Sequence, residues 1–422
     1  MANGTNTSFG APKGTRDILP PESWVWQEVV GYAMDSFALA GYAPIETPMF
    51  EHTEVFERGV GSTSEVVGKQ MYTFDDRGDR SLTLRPEGTA PVVRAVLEHN
   101  LHRGALPVKL SYEGPMFRQE RPQKGRYRQF YQLGIEAIGS DHPAVDAEVI
   151  EIAIRFYAGI GLDTSLKINS IGHVDESCRL GYAKVLVGFL RDHTAELAAE
   201  DRERIDTNPM RTFDSKEKRT QEVMRAAPLI TDHLCDSCRD HYASVKGHLD
   251  AVGITCEEEP RLVRGLDYYT RTAFEFVAGG LGSQGAVGGG GRYDGLAEVL
   301  GGPHLPGIGF ALGLDRIMLS LGERQAATPG PVVAYIVALG DAAERRAFPL
   351  ATSLRAAGIG AEFDVMGRGM KGQMKDADRS GARYAVIIGD EELATGEATV
   401  KDLTSGDQER CPLDRLEERL KR

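Results

Sequence analysis

The sequence predicts an α+β protein: an antiparallel sheet domain interrupted by a helical module and followed by a small α/β domain. Three observations carry that expectation. Strand-like runs in the first half are joined by loops rather than by regular helical crossovers, which points to antiparallel pairing. Between roughly Gly172 and Thr255 the chain turns helix-rich and charged, as in "LVGFLRDHTAELAAEDRERI", before strands and glycines resume at Arg261. Beyond Pro-Gly-Pro at 329–331, strand and helix alternate, the pattern of an open α/β domain with parallel strands. The expected divisions are 1–168 and 256–326 for the two parts of the sheet domain, 169–255 for the inserted module, and 331–422 for the last domain.

Each element has its own warrant. Residues 22–40 place Val25, Val29, Tyr32, Ala33 and Phe37 at helical spacing and stop at Gly41. In "YAPIETPMFEHTEVF" Pro44 and Pro48 bracket a short extended piece that cannot take a central ladder position, so an edge or an interface suits it. Strands are expected at 71–74, 81–84, 109–117 and 130–138, with a helix between Gly88 and His99. From Thr270 the chain alternates, Thr270, Thr272, Phe274 and Phe276 on one face and Arg271, Ala273, Glu275 and Val277 on the other. In the last domain "VVAYIVALG", a helix over 342–357, "GAEFDV", a further helix and "YAVIIGD" follow in turn.

Charge narrows the functional classes. The 422 residues carry 62 acidic and 49 basic side chains, a net charge of -13, which excludes a protein that coats nucleic acid indiscriminately; a polyanion must find a local basic patch. The first residues contain no apolar signal core, and the longest apolar stretch, 332–339, is too short to span a bilayer, so a soluble cytoplasmic protein is expected. Five cysteines, Cys178, Cys235, Cys238, Cys256 and Cys411, are too few and scattered for a disulfide framework, and reduced thiols are expected.

The basic patch lies in "MFRQERPQKGRYRQFYQLGIEAIG". Arg118, Arg121, Lys124, Arg126 and Arg128 face only Glu120 there. On the returning strand Gln132, Gly134 and Glu136 share one face, so a small polar ligand fits across Gly134 with Gln132 and Glu136 on either side. "LTLRPEGTAPVVRA" sets Arg85, Glu87 and Thr89 between a strand and a helix that Thr89 can cap. "AVGGGGRYDGL" lets backbone approach a ligand ahead of Arg292, and "GIGFALGLDRIML" carries Arg316 near a helix start, where a phosphate is welcome. Arg264, with Tyr268 and Tyr269, is costly to bury unless something polar answers it. Arg118, Arg264 and Arg316 with Glu87, Gln132 and Glu136 together suit a site that neutralises a triphosphate and holds an amino acid.

"GYAPIETPMFE", "MFRQERPQKGRYRQF" and "GFALGLDRIML" resemble, in order and spacing, the three motifs of class II aminoacyl-tRNA synthetases. "LVRGLDYYTRTAFEF", "VGGGGRYDGL" and "KGTRDILP" further resemble signatures of the histidyl-tRNA synthetase family. The resemblance implies activation of L-histidine by ATP with Mg2+ as substrate, no permanently bound cofactor, transfer to the 3′ end of the cognate tRNA, and a homodimer. It implies that Arg118 holds the α-phosphate and Arg316 the γ-phosphate, with adenine between Phe130 and the Arg316 guanidinium. Glu120 joins them in the ATP site. Arg264 reaches the α-phosphate and the histidine carboxylate, the catalytic role it shares with Arg118. Glu87, Thr89 and Gln132 meet the α-ammonium, and Glu136 and Tyr269 meet the imidazole, with Tyr268 alongside. Arg121, Gln123, Lys124 and Arg126 meet the acceptor end of the tRNA, and 331–422 binds the anticodon. Asp315 stands where the family often carries glutamate.

A paralogue that serves as regulatory subunit of ATP phosphoribosyltransferase generally lacks the last domain and need not keep the arginines; both are present here. A class II enzyme for another amino acid does not predict Tyr268 and Tyr269. Within the last domain Lys371, Lys375, Arg379 and Arg383 recur every four residues, a phosphate-tracking stripe if helical. "DHLCDSCRDHY" offers His233, Cys235, Cys238 and His241, but no second pair supplies the opposing half of a structural metal site, so no metal is expected.

Overall fold

The structure, a computed structural model, describes residues 10–61, 64, 66–263, 266–279, 285–322 and 332–421. The described chain divides into two compact units, one of residues 10–18 and 26–322 and one of residues 19–25 and 332–421. The linker expected at 329–331 lies outside the described residues, as do the boundaries at 326 and 331.

In the first unit the strands are β1 (Ala43–Pro44), β2 (Phe50–His52), β3 (Tyr72–Asp75), β4 (Ser81–Leu84), β5 (Val108–Phe117), β6 (Gln129–Ile138), β7 (Thr164–Ser170), β8 (Glu257–Glu258), β9 (Thr270–Ala278), β10 (Ala286–Arg292) and β11 (Gly307–Gly313). Eight form one sheet in the order β1-β5-β6-β11-β10-β9-β7-β8, and β2-β4-β3 form a small separate one. Only the outermost pairs, β1 with β5 and β7 with β8, run parallel; the interior is antiparallel. Pro44 sits on the edge strand, as a residue without an amide proton must.

The sheet has one dry face. Helices Glu22–Leu39 and Pro143–Gly159 bring Phe37, Phe156 and Tyr157 against Phe310 and Phe276, with the Phe37 and Phe310 rings 5.6 Å apart. Alternation decides the other face. Leu133 and Ile135 are buried toward the helices, which turns Gln132, Gly134 and Glu136 the opposite way, and in β11 Phe310 and Leu312 leave Ala311 and Gly313 to the other side. Beneath the helix Pro143–Gly159, Arg292 is completely buried on Asp146, donating from Nη2 at 2.6 Å and from Nε at 2.9 Å, and His241 Nε2 lies 3.2 Å from the same carboxylate. Arg292 is therefore a core cation, not a ligand-facing one.

Between β7 and β8 the chain forms helices Arg179–Asp192, Ala199–Arg204, Lys218–Met224 and Asp236–Ala251, the helix-rich stretch expected there. Their apolar core takes in Leu186, Leu190, Ile230, Cys178 and Cys238, and reaches Tyr269 and Ala273 at the start of β9.

The second unit has a five-stranded sheet, β12 (Ala334–Ala338), β13 (Ala361–Phe363), β14 (Tyr384–Ile388), β15 (Glu397–Asp402) and β16 (Gln408–Pro412), ordered β13-β12-β14-β15-β16. The first three are parallel, as expected, with helices Asp341–Ala356 and Met370–Arg379 between them. The last two form an antiparallel hairpin that the alternation does not announce, closed where Asp402 accepts from the amides of Thr404 and Ser405 and Gly406 takes φ +83°.

Candidate active site

The polar face of the first unit's sheet opens into a cleft of about 370 Å³. Glu87, Thr89, Gln132, Tyr268 and Tyr269 line it together with Arg118, Glu120, Arg126, Phe130 and Arg316, and Arg118 is held beside Glu87 by its bond to Pro86 O. Ten of the residues expected at a ligand site thus share one cavity of the size small ligands occupy. Arg121, Gln123 and Lys124 are instead exposed at the tip of the β5–β6 loop, where Gly125 takes φ +73° and Gln123 and Arg126 exchange backbone bonds. Arg264 lies outside the described residues.

Glu87 gains its position from the helix Thr89–Glu98. Its carboxylate accepts from the amides of Thr89 at 2.7 Å and Ala90 at 2.9 Å, so Glu87, and not Thr89 as expected, caps that helix. Burial pushes its pKa up, while these amide bonds and the Arg118 charge pull it down. Tyr268 Oη donates to the same carboxylate at 3.4 Å. Thr89 Oγ1 is turned away to donate to Glu136 at 2.7 Å.

Glu136 departs from expectation. It does not line the cleft: it is fully buried, accepting from Tyr293 Oη at 2.5 Å, Thr89 Oγ1 and Tyr112 Oη. The ground across Gly134 is filled by the Tyr112 ring, since a Cβ on Gly134 would lie 2.2 Å from Tyr112 Cζ. Tyr112 comes from β5, directly opposite Gly134 in the register, and a glycine is what leaves a neighbouring ring room to fold over. Burial lifts the Glu136 carboxyl to about 8.

The Arg118 guanidinium lies over the Phe130 ring, 5.2 Å from its centroid. The physical reason is register. Phe130 stands opposite Met116, two residues before Arg118 on the paired strand, and Arg118 Nε is held by Pro86 O at 2.9 Å. Arg316, in the helix Leu314–Leu321, donates to Ala286 O at 2.5 Å. Burial lowers the pKa of both arginines, Arg126 adding to the effect on Arg316, and neither loses its charge at neutral pH.

Several cleft residues lie outside the set expected to hold ligand. Glu275 lies on the face that β9 alternation assigns away from the core, a signal available but unused. Asp315 accepts from Tyr131 N at 2.9 Å and from Arg16 Nη2 at 3.2 Å, which ties the motif "KGTRDILP" to the cleft. Arg128 N donates to Gly14 O at 2.7 Å, so the same early segment holds the basic loop. Gly288, Gly289 and Ala286 form the floor beside Arg316.

The expectation that Cys235 and Cys238 lack an opposing pair does not hold. The fold brings His173 and Cys178 against them, while His241 goes to Asp146 and His233 packs on the Tyr182 ring.

A family model described as histidyl-tRNA synthetase matches residues 14–317, and one described as anticodon binding domain matches residues 333–422. A curated histidine–tRNA ligase of Nocardia farcinica is 52% identical over 410 residues, 96% of each chain. One of Moorella thermoacetica is 52% identical over 406 residues, 95% of each. A crystal structure of apo S. aureus histidyl-tRNA synthetase superposes with a TM-score of 0.83 at 41% identity, covering 98% of this chain and all of the other.

Proposed function

Because the chain belongs to the histidyl-tRNA synthetase family and acts as a histidine–tRNA ligase, we propose that its cleft divides that work between two ends. L-Histidine reacts with ATP to give histidyl-adenylate and pyrophosphate, and the histidyl group passes to the 3′ end of tRNA. Glu87 and Gln132 receive the α-ammonium at the tyrosine-lined end. The Glu87 carboxylate is already fixed by two helix amides, so it pairs with an incoming cation without reorganising. Tyr269 meets the imidazole. Glu136 answers from below, through Thr89 and Tyr293 or directly once Tyr112 moves aside.

ATP occupies the arginine end. Arg118 takes the α-phosphate, and adenine displaces its guanidinium from the Phe130 ring. Arg316 takes the γ-phosphate, and Mg2+ enters with ATP, bound mostly through phosphate oxygens with Glu120 and Glu275 near by. Arg264 supplies positive charge at the α-phosphate as negative charge builds there during in-line transfer. The observation that carries this reading is one cleft lined both by Glu87 and the tyrosines and by Arg118, Phe130 and Arg316.

The exposed loop residues Arg121, Gln123 and Lys124, with Arg126, meet the tRNA acceptor end, and residues 331–422 meet the anticodon. We assign a homodimer to the face of β2–β4–β3, where Phe50 and Phe74 are about half exposed with rings 6.3 Å apart beside exposed Met49. No helix among the described residues is long and apolar enough to cross a membrane, and the reaction belongs in the cytoplasm with its tRNA.

Amino-acid-dependent pyrophosphate exchange into ATP tests the central reading. Histidine alone among the twenty amino acids supports exchange, and Arg264→Ala lowers the rate about a hundredfold, on the order of 3 kcal/mol. Undiminished exchange in that variant removes Arg264 from the chemistry. Exchange with another amino acid overturns the pocket assignment.

A further inference from the structure

His173 Nδ1 lies 3.1 Å from Cys238 Sγ and 3.7 Å from Cys235 Sγ, and with Cys178 Sγ the four donor atoms all fall within 4.8 Å of one another. Tetrahedral zinc, with bonds of about 2.3 Å to sulfur and about 2.0 Å to nitrogen, holds its donors roughly 3.5–3.8 Å apart. We propose that His173, Cys178, Cys235 and Cys238 form a structural zinc site that pins the helical module to the catalytic sheet at the start of β9.

The backbone around the four donors is arranged for it. Cys178 stands immediately before the helix Arg179–Asp192 and Cys235 immediately before the helix Asp236–Ala251, so both sulfurs sit at helix N-termini. Cys235 and Cys238 are spaced Cys-x-x-Cys across a first helical turn, the spacing of one half of a closed zinc site. The other half, His173 and Cys178, is a tight turn closed by amides of Asp175 and Arg179 on His173 O. Gly172 takes φ +64° there, and a Cβ on it would lie 2.6 Å from Cys178 Sγ, so only glycine leaves that sulfur its place.

Donor chemistry selects the ion. Three thiols and one imidazole with no carboxylate suit zinc over the hard cations, and four protein donors leave no open position, so the ion is structural rather than catalytic. Cys178 and Cys238 are buried and His173 and Cys235 half-buried, a site shielded yet reachable.

What the ion would fasten is visible in the chain on either side. Ile171 N donates to Arg271 O at 2.7 Å and Arg271 N to Gly172 O at 2.9 Å, joining the His173 turn to β9. Arg179, next to Cys178, donates from Nη1 to Tyr269 O at 2.6 Å. The four donors thus tie two helices of the module to the strand that begins behind the tyrosine pair.

Metal analysis of the full-length enzyme, purified without chelator, gives about one zinc per chain. Cys235→Ser and Cys238→Ser each lose most of it, while Cys256→Ser keeps it. Should a ligand variant fail to fold, the native chain stripped with a chelator and reloaded with Co2+ reads the same site. It then shows tetrahedral ligand-field bands and a sulfur-to-cobalt charge-transfer band. Native protein without zinc that takes up no Co2+, a disulfide among Cys178, Cys235 and Cys238, or iron in place of zinc would each overturn the assignment.

Discussion

Glu136 shows how far one carboxylate can be moved by its surroundings. Burial lifts it from an ordinary 4.5 to about 8 against the bonds from Tyr293 and Thr89 that favour ionisation. A proton bound in the folded state but released on unfolding stabilises the fold. That contribution is complete below about 4.5 and is lost as pH rises through about 8. Glu136→Gln removes the titration, so the urea midpoint of the wild type should fall relative to the variant across that window and track it on either side. A constant difference from pH 5 to 9 would contradict the shift. If Glu136 also answers the imidazole, the variant raises KM for histidine and leaves KM for ATP unchanged. At this scale the sequence discloses residue types but not partners. Period-two alternation correctly sets Gln132, Gly134 and Glu136 on one face, yet Tyr112 over Gly134 depends on a neighbouring strand's register, which alternation does not encode. Arg118 over Phe130 is hidden from the sequence for the same reason.

The glycines of β10 and β11 are crowded, not slack. A Cβ on Gly309 would lie 1.9 Å from Glu136 Oε2 and 2.3 Å from Ile135 O. Gly309→Ala should therefore destabilise the first unit by about 1–3 kcal/mol or more and displace the Glu136 carboxylate, read by thermal unfolding together with histidine KM. The Arg292–Asp146 pair is a second constraint on the same sheet. Arg292→Met leaves the fully buried Asp146 with His241 and no permanent cation, at a cost of about 3–5 kcal/mol in urea unfolding, whereas a surface pair such as Arg58–Glu54 should cost well under 1 kcal/mol. Element identity is largely legible. The 81–84 strand agrees end to end, the 22–40 helix ends one residue early, and the 130–138 strand starts one residue earlier than expected. The β15–β16 hairpin is less so, because β15 alternates over only six residues, with Ala398 and Val400 buried, and β16 is exposed and polar except for Cys411.

A chain with net charge -13 must concentrate its attraction for tRNA locally. Lys371, Lys375 and Arg379 are exposed on the helix Met370–Arg379, whereas Arg383 lies past its end, near Asp402 and over the Tyr384 ring. Replacing Lys371 and Lys375 by alanine should leave pyrophosphate exchange intact and weaken tRNA binding, flattening its log–log salt dependence by roughly 0.7–0.9 for each phosphate that the lysines no longer neutralise. An unchanged slope would make the stripe a solvated face. Motif order discloses the family, but not the strand order that assembles it. β6 finds its second neighbour in β11, with Ile138 beside Gly307, so one side of a central strand has no partner until much later sequence exists. On the ribosome, which adds roughly 5–20 residues per second, that edge stays open for on the order of ten to thirty seconds. The nascent chain thus presents an unpaired ladder to its surroundings through a large part of its own synthesis, and adenylate chemistry begins only after the strand carrying Phe310 has emerged and slotted in.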